Sequence, residues 1–337
     1  MTSVAVLAGV LITSLAGLIT ALVMFTPHPR RRTANERFFI DAVTNERTEF
    51  EIAALEPPRR TSQNVALSVV VPAFNEAARL PQMLNDTLDF LDARVKRDKG
   101  HSFEVIVVDD GSSDGTAEIA REIARKRACS QVRVLVLEKN RGKGGAVTQG
   151  MLVARGDRLL FADADGATRF SDIELLEKAL DKVSVANHGI AVGSRAHMVR
   201  SDAVVKRSFI RNFLMHGFHA FLLLLGISSI KDTQCGFKLL TRRSAAEIFP
   251  RMHVEGWIFD IEMLLLATWH KIPIAEVPVT WNEVDGSKVN LLKDSVRMAI
   301  DLLLIRFYYF TGLWNAFKAL DAQELEEKLK GSKRKSE

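Results

Sequence analysis

Between Val65 and Asp165 the sequence alternates short β-branched runs with stretches of helical spacing, and polar residues follow several of the runs. Runs such as VALSVVV and FEVIVV are apolar and bounded by turn residues, which is typical of buried strands. Strands that alternate with helices predict an α/β fold, with a mostly parallel sheet covered by helices on both faces. The chain has 337 residues, which is enough for such a domain with a full-sized core.

The carboxyl ends of parallel strands meet at one edge of a sheet, where folds of this class bind their ligands. Polar clusters follow three of the predicted strands, at 72–76, at Asp109-Asp110 and at 163–165. Carboxylates gathered at one edge repel one another unless a cation lies among them. Asp163 and Asp165 therefore predict a site for Mg²⁺ or Mn²⁺, and simple turn formation is the alternative explanation for this pair.

Two further segments carry candidate site residues. The glycine-rich stretch at 140–145 contains Lys143 but lacks the spacing of a P-loop, so it predicts either an anion site at a helix start or an ordinary turn. Asp260 and Glu262 open a predicted helix. Asp260 is a candidate catalytic carboxylate, and stabilisation of the helix dipole is the alternative.

Residues 4–25 form an uncharged apolar run that is long enough to cross a bilayer as a helix. No basic residue precedes the run and three arginines follow it at 30–32, which favours an uncleaved anchor over a cleaved signal peptide. Because basic flanks stay on the cytosolic side, the arginines also predict that the catalytic region lies in the cytosol. Two cysteines agree with a reducing compartment. We therefore predict a polar linker at 26–64, an α/β domain at 65–290, and a membrane-interface helix with a basic cytosolic tail at 291–337.

The carboxyl-terminal third contains a strongly apolar and aromatic segment. The segment 296–317 carries three charged side chains among apolar and aromatic ones, which favours a helix at the membrane interface over a buried core helix. Tyr308, Tyr309 and Trp314 are then expected at headgroup level. The net charge of +5 would also suit nucleic acid, but the apolar run 218–230 favours a membrane surface, so we expect no nucleic-acid partner.

Five motifs, taken in order, resemble those of the family 2 glycosyltransferases: VVVPAFNE, VIVVDDGSSDGT, NRGKGGA, FADADG and GSR. The resemblance extends from about Val65 to Asn282 and implies the GT-A nucleotide-sugar-binding fold. The stretches FADADGAT, DTQCGFKL and WIFDIE are most similar to members that transfer glucose from UDP-glucose to dolichyl phosphate, with inversion, on the cytosolic face of the endoplasmic reticulum membrane. Mannosyl transfer from GDP-mannose and non-catalytic binding of a nucleotide sugar are the alternatives.

The resemblance also implies roles for individual residues. The donor-binding positions are Pro72, Phe74, Glu76, Asp109, Asp110, Lys143 and Asp163. Among the candidate catalytic carboxylates, Asp163 and Asp165 match the metal-binding pair of the family, whereas Asp260 is only the nearest substitute for an acidic base. The acceptor-phosphate positions are Arg195, Lys206, Arg207, Arg211 and Lys238. No clear acidic base of the kind used on hydroxyl acceptors is present, but a phosphate monoester is already anionic near neutral pH and needs none.

Overall fold

The computed structural model describes residues 26–41, 43–49, 65–98, 100–198, 230–284 and 291–319, with isolated residues at 17, 20 and 24. Nine strands in these ranges form a single sheet. They are β1 (Phe38–Asp41), β2 (Arg47–Glu49), β3 (Val65–Ala73), β4 (Phe103–Asp109), β5 (Val132–Val136), β6 (Gly156–Ala162), β7 (Ile190–Ser194), β8 (Phe237–Thr241) and β9 (Ile274–Pro278).

The strand order across the sheet is β2-β1-β5-β4-β3-β6-β8-β7-β9. The central block β5-β4-β3-β6 is parallel, as is the pair β7-β9. The strand β8 runs antiparallel to both of its neighbours, and β1 is antiparallel to β2 and β5. The α/β class is confirmed, but the sheet is mixed rather than mostly parallel because β1 and β8 enter it in the opposite direction.

Helices cover both faces of the sheet, as predicted. They are α1 (Leu80–Arg97), α2 (Thr116–Lys126), α3 (Lys143–Val153), α4 (Ile173–Val183), α5 (Arg242–Ile248), α6 (Phe259–Trp269) and α7 (Leu291–Phe310). One core contains apolar residues of α1, α2 and α4, and the other contains those of α3, α5, α6 and α7. The first of these helices, α1, begins at Leu80, and Pro81 suits its first turn.

The segment 26–41, part of the predicted polar linker 26–64, is packed onto the domain in this structure. Phe39 lies in the core, and β1 extends the sheet beside β5. Glu36 is fully buried among polar partners. The polar composition of 26–41 thus includes one buried carboxylate, Glu36, among side chains that are mostly half-buried or exposed.

The predicted interface helix is α7 together with the residues that follow it, and its two sides differ. Tyr308 and Trp314 are buried, and the Trp314 ring stacks on His253 with 4.3 Å between ring centroids. The expectation that these two side chains lie at headgroup level is therefore wrong, because they complete the core around α6. The opposite side exposes Ile300, Leu303 and Phe310.

Of the helices in the described part of the chain, none is both long enough and apolar enough to cross a membrane. The predicted anchor at 4–25 lies outside the described residues except for its three isolated positions, and it stays a prediction. The basic end of the chain and almost all of the run 218–230 also lie outside them.

Candidate functional site

The three predicted polar clusters meet at one edge of the sheet, as their positions after β3, β4 and β6 require. Ala73 at the end of β3 is paired with Asp109 at the end of β4. The backbone N–H of Asp163, directly after β6, donates to the carbonyl of Gly236, which directly precedes β8. The carboxyl ends of the parallel strands therefore bring these residues together.

Asp163 and Asp165 lie at the centre of this edge. The Nζ of Lys143 is 2.7 Å from Asp163 Oδ1 and 2.9 Å from Oδ2. Burial would lower the pKa of Lys143, but Asp163, and then Asp260 and Asp165, raise it above its usual value. Burial and the neighbouring charge of Asp163 raise the pKa of Asp165. The pair thus combines one ion-paired carboxylate with one whose ionisation is opposed by its neighbour.

The residues at 140–143, which we call the donor loop, connect β5 to α3. Its backbone is held by Asp110, whose Oδ1 accepts from the N–H of Arg141 at 2.7 Å and whose Oδ2 accepts from the N–H of Gly142 at 2.9 Å. Burial raises the pKa of Asp110 to about 7. Asp110 therefore holds the backbone of the loop that carries Lys143. The sequence predicted Asp110 as a donor-binding residue but did not predict these contacts.

The other donor-binding candidates lie beside the loop or within strands. Asp109 is buried, and its Oδ1 accepts from the N–H of Ser112 at 3.0 Å. Burial raises its pKa. Glu76 forms a paired contact with Arg79, with oxygen–nitrogen distances of 2.6 and 2.7 Å. Pro72 is buried within β3, whereas Phe74 is exposed just beyond the end of that strand.

Lys238 and Asp260 form a buried ion pair. Lys238 is 0% exposed, and its Nζ lies 2.5 Å from Asp260 Oδ1 and 2.6 Å from the carbonyl oxygen of Cys235. Asp260 is 2% exposed, and burial raises its pKa although Lys238 and Lys143 oppose the shift. The expected contact of Lys238 with an acceptor phosphate stays a prediction, and in this structure its Nζ donates to Asp260 and to the carbonyl oxygen of Cys235 instead. Asp260 is buried and interacts electrostatically with Lys143 and Asp163.

Arg195 is the one acceptor-phosphate candidate that the described residues place near the surface. Its Nε and one terminal nitrogen donate to the two oxygens of Asp232 at 2.8 and 3.0 Å, and the guanidinium lies over the ring of Trp281 at 5.5 Å. Burial would lower the pKa of Arg195, but Asp232 holds it well above the usual value. Lys206, Arg207 and Arg211 lie outside the described residues.

Sequence reasoning missed two residues at the centre of the site. A Cβ atom added to Gly236 would lie 2.0 Å from Asp163 Oδ2, so only glycine leaves the carboxylate its place. A single glycine just before a strand signals such a close approach. Asp163 and Asp165 also contribute to raising the pKa of Arg79, after its main partner Glu76, so this cation is part of the same electrostatic cluster. The spacing from Glu76 to Arg79, three residues, was the available signal.

The Asp163–Asp165 pair suits a divalent cation. The described residues contain no cluster of three or more histidine, cysteine or carboxylate side chains placed to hold one. Mg²⁺ is commonly bound by one or two carboxylates together with phosphate oxygens and water, so two carboxylates are sufficient when the substrate is a diphosphate. A cation would also relieve the repulsion that raises the pKa of Asp165. A cleft of about 260 Å³ opens beside Asp163, between α1 and the residues 166–171, and leaves room for a ligand.

Comparison with known proteins identifies the family of this chain. The family model described as Glycosyl transferase family 2 matches residues 68–249. Dolichyl-phosphate beta-glucosyltransferase of Dictyostelium discoideum is 48% identical over 279 residues, covering 83% of this chain and 85% of the relative. The Saccharomyces cerevisiae protein of that name is 48% identical, covering 75% and 77%, and the Homo sapiens protein is 44% identical, covering 91% and 92%.

Solved structures resemble the fold at lower identity. A crystal structure of a mycobacterial protein has a TM-score of 0.52 at 21% identity, and covers 80% of this chain and 83% of its own. Glucosyl-3-phosphoglycerate synthase from Mycobacterium tuberculosis, crystallised with Mn²⁺ and UDP-glucose, has a TM-score of 0.50 at 20% identity, with 77% and 84% covered. These likenesses concern the fold, whereas the matched family and the far closer relatives place this chain in glycosyl transferase family 2 and, within it, among the dolichyl-phosphate β-glucosyltransferases.

Proposed function

We propose that this chain transfers glucose from UDP-glucose to dolichyl phosphate, forming dolichyl β-D-glucosyl phosphate and UDP for the lipid-linked precursor of protein N-glycosylation. The observation that carries the proposal is the 44–48% identity to relatives named for glucosyl transfer to dolichyl phosphate. Those relatives favour glucosyl transfer over mannosyl transfer and over a non-catalytic role. The choice of UDP-glucose is supported by the motif resemblance, and a diphosphate leaving group suits the carboxylate pair.

The arrangement of charges fits a reaction in which a phosphate oxygen displaces a nucleoside diphosphate. The acceptor phosphate is already anionic near neutral pH, so its oxygen can attack the anomeric carbon without a general base. This agrees with Asp260, the nearest candidate for a base, being buried and paired with Lys238. The residues must then orient the two substrates and stabilise the negative charge on the leaving UDP.

The cations of this edge divide between the two substrates. Lys143 lies on the donor loop beside Asp163, which supports a role in stabilising the diphosphate of the donor. Asp163 and Asp165 would hold Mg²⁺ or Mn²⁺, which when bound supplies positive charge for the leaving diphosphate. Arg195 is the described candidate for holding the acceptor phosphate, with Arg211 and its basic neighbours 206–207 as further candidates.

We further propose that the protein is a single-pass protein of the endoplasmic reticulum membrane with its catalytic domain in the cytosol. The apolar run 4–25, followed by arginines at 30–32, supports an anchor of this orientation. The lipid acceptor requires a site close to a membrane. The exposed apolar side chains of α7, Ile300, Leu303 and Phe310, provide a surface suited to lipid.

A transfer assay in membranes tests the proposal. Labelled UDP-glucose and labelled GDP-mannose are offered separately, with dolichyl phosphate and Mg²⁺ or Mn²⁺. We expect labelled UDP-glucose, but not labelled GDP-mannose, to give a labelled acid-labile lipid. The variant Asp165→Ala should give no product. Asp181→Asn, which removes an exposed carboxylate paired with Arg158, is the control and keeps activity. Mannose in the lipid product would refute the donor, and full activity of Asp165→Ala would refute the metal site.

A further inference from the structure

Arg141 and Lys143 are two residues apart on the donor loop, but their side chains enter different surroundings. Lys143 reaches Asp163 at the substrate edge. The side chain of Arg141 is buried behind the loop, where one terminal nitrogen is 2.8 Å from Glu255 Oε1 and the other is 3.3 Å from Glu36 Oε2. It also donates to the carbonyl oxygen of Arg30. The contacts of Arg141 therefore support the loop from the side away from the substrates.

Glu36 connects this support to the segment 30–36. Its carboxylate accepts from Arg30 at 2.5 Å and from the backbone N–H of Thr33 at 3.1 Å, in addition to Arg141. It also accepts from the backbone N–H of Glu138 at 2.9 Å, two residues before the donor loop. Burial would raise the pKa of Glu36, but these donors hold it below its usual value. A buried carboxylate with four donors fixes the positions of all of them.

Glu255 forms the other side of the support. Its carbonyl oxygen accepts from the N–H of Gly145 at 3.0 Å. A Cβ atom on Gly142, whose φ is +91°, would lie 2.6 Å from the same oxygen. The loop is therefore packed directly against the backbone of Glu255. A change in the Arg141–Glu255 contact would be transmitted to the loop and to Lys143.

We propose that Arg141 and Glu36 are positioning residues for the donor loop, and that the segment 30–36 forms part of the rear wall of the donor site. The proposal rests on the proposed function, since it takes the loop to bind the nucleotide-sugar donor. Four residues, 26–29, separate the segment from the end of the predicted anchor at residue 25. The anchor is then joined to the domain beside the donor site. The arginines at 30 and 32 also stabilise the fold, because Arg30 donates to Glu36 and Arg32 donates to Gln149.

Steady-state kinetics of the full-length chain in membranes tests the proposal with Glu36→Gln, Arg141→Lys and Arg141→Met. Glutamine keeps the shape of Glu36 but loses the charge and directs an NH₂ group at donors. We expect kcat/KM for UDP-glucose to fall by about 10- to 100-fold, within the roughly 100-fold effect of a 1 Å misplacement, with a higher KM for UDP-glucose. The KM for dolichyl phosphate stays unchanged. Arg141→Lys retains the charge and should lie between wild type and Arg141→Met.

Glu104→Gln is the matched control. Glu104 is as buried as Glu36 and pairs with Arg133 at 2.6 Å and Arg155 at 3.0 Å, but it lies near the amino end of β4, away from the site. Its loss should lower stability and leave the KM for UDP-glucose unchanged. An unchanged donor KM in Glu36→Gln, or an equal rise in Glu104→Gln, would overturn the proposal in favour of a purely structural role.

A binding measurement separates this proposal from the proposed function. Calorimetric titration of the purified full-length variants with UDP needs no acceptor and no turnover. Weaker UDP binding in Glu36→Gln than in Glu104→Gln supports the positioning role even if wild type transfers no glucose, in which case the proposed function alone has failed. Equal UDP affinity in wild type, Glu36→Gln and Arg141→Met would overturn the positioning role.

Discussion

Gly236→Ala should misplace one carboxylate of the site while leaving the fold intact. The added Cβ atom would lie 2.0 Å from Asp163 Oδ2, and ordinary contact begins at 3.4 Å, so the carboxylate must move by about 1.4 Å. The clashing atoms are the end of a side chain, which can rotate away. The hydrogen bond from the Asp163 N–H to the carbonyl of residue 236 is compatible with alanine. The cost therefore falls on the position of Asp163 and on its contact with Lys143, more than on stability.

A displacement of this size corresponds to a loss of about 100-fold in kcat/KM, or about 2.7 kcal/mol of transition-state stabilisation. We expect this loss in glucosyl transfer from UDP-glucose, together with a higher metal concentration for half-maximal activity. Gly256→Ala is the control, because the nearest atom that its Cβ would meet is Asp301 Oδ2 at 4.0 Å. Activity of Gly236→Ala within a factor of about two of wild type would refute a direct role of the Asp163 carboxylate. A twofold change corresponds to well under the roughly 1.4 kcal/mol of a tenfold change, and so is far smaller than the expected loss.

Three further predictions concern charge and packing. Lys238→Met should destabilise the fold by about 3–5 kcal/mol, because Asp260 is left buried without its cation, and an unchanged unfolding midpoint in denaturant would contradict the ion pair. The KM for UDP-glucose should rise as the pH falls below about 7, because Asp110 then takes up a proton and one oxygen stops accepting from the donor loop. Asp110→Asn should have a high KM for UDP-glucose that does not depend on pH in this range. A wild-type pH profile in this variant would show that Asp110 is not the group whose protonation raises the KM. Trp314→Ala should cost about 3–5 kcal/mol, measured by urea unfolding, because it removes a buried ring stacked on His253, and a loss below about 1 kcal/mol would contradict that packing.

Much of the architecture could be predicted because strand and helix patterns are local. The run VALSVVV predicted a buried strand, and β3 at Val65–Ala73 is buried along almost its whole length. The convergence of Asp109 and Asp163 at one edge followed from their positions after predicted parallel strands. The direction of β8 did not follow, because its short apolar run FKLLT contains no information on which neighbour it pairs with.

The tertiary partners of single charged residues could not be predicted, and Lys238 shows why. Its place in a motif suggested a phosphate contact, but its partner Asp260 lies 22 residues away in sequence and meets it only in the folded chain. Arg195 likewise pairs with Asp232 across 37 residues. Glu36 and Phe39 lie in a polar stretch whose packing against the sheet has no local pattern.

The sequence by itself determined the α/β class, the alternation of strands and helices along the chain and the types of side chain at the edge of the sheet. It could do so because periodicity and residue type are properties of neighbouring positions in the chain. Only the tertiary structure decided which charges are available to substrates. Lys143 reaches Asp163 at the surface of the site, whereas Lys238 and Arg141 are neutralised in the interior by Asp260, Glu36 and Glu255. The physical reason is that ion pairing and desolvation depend on distances in space between residues that are far apart in the chain.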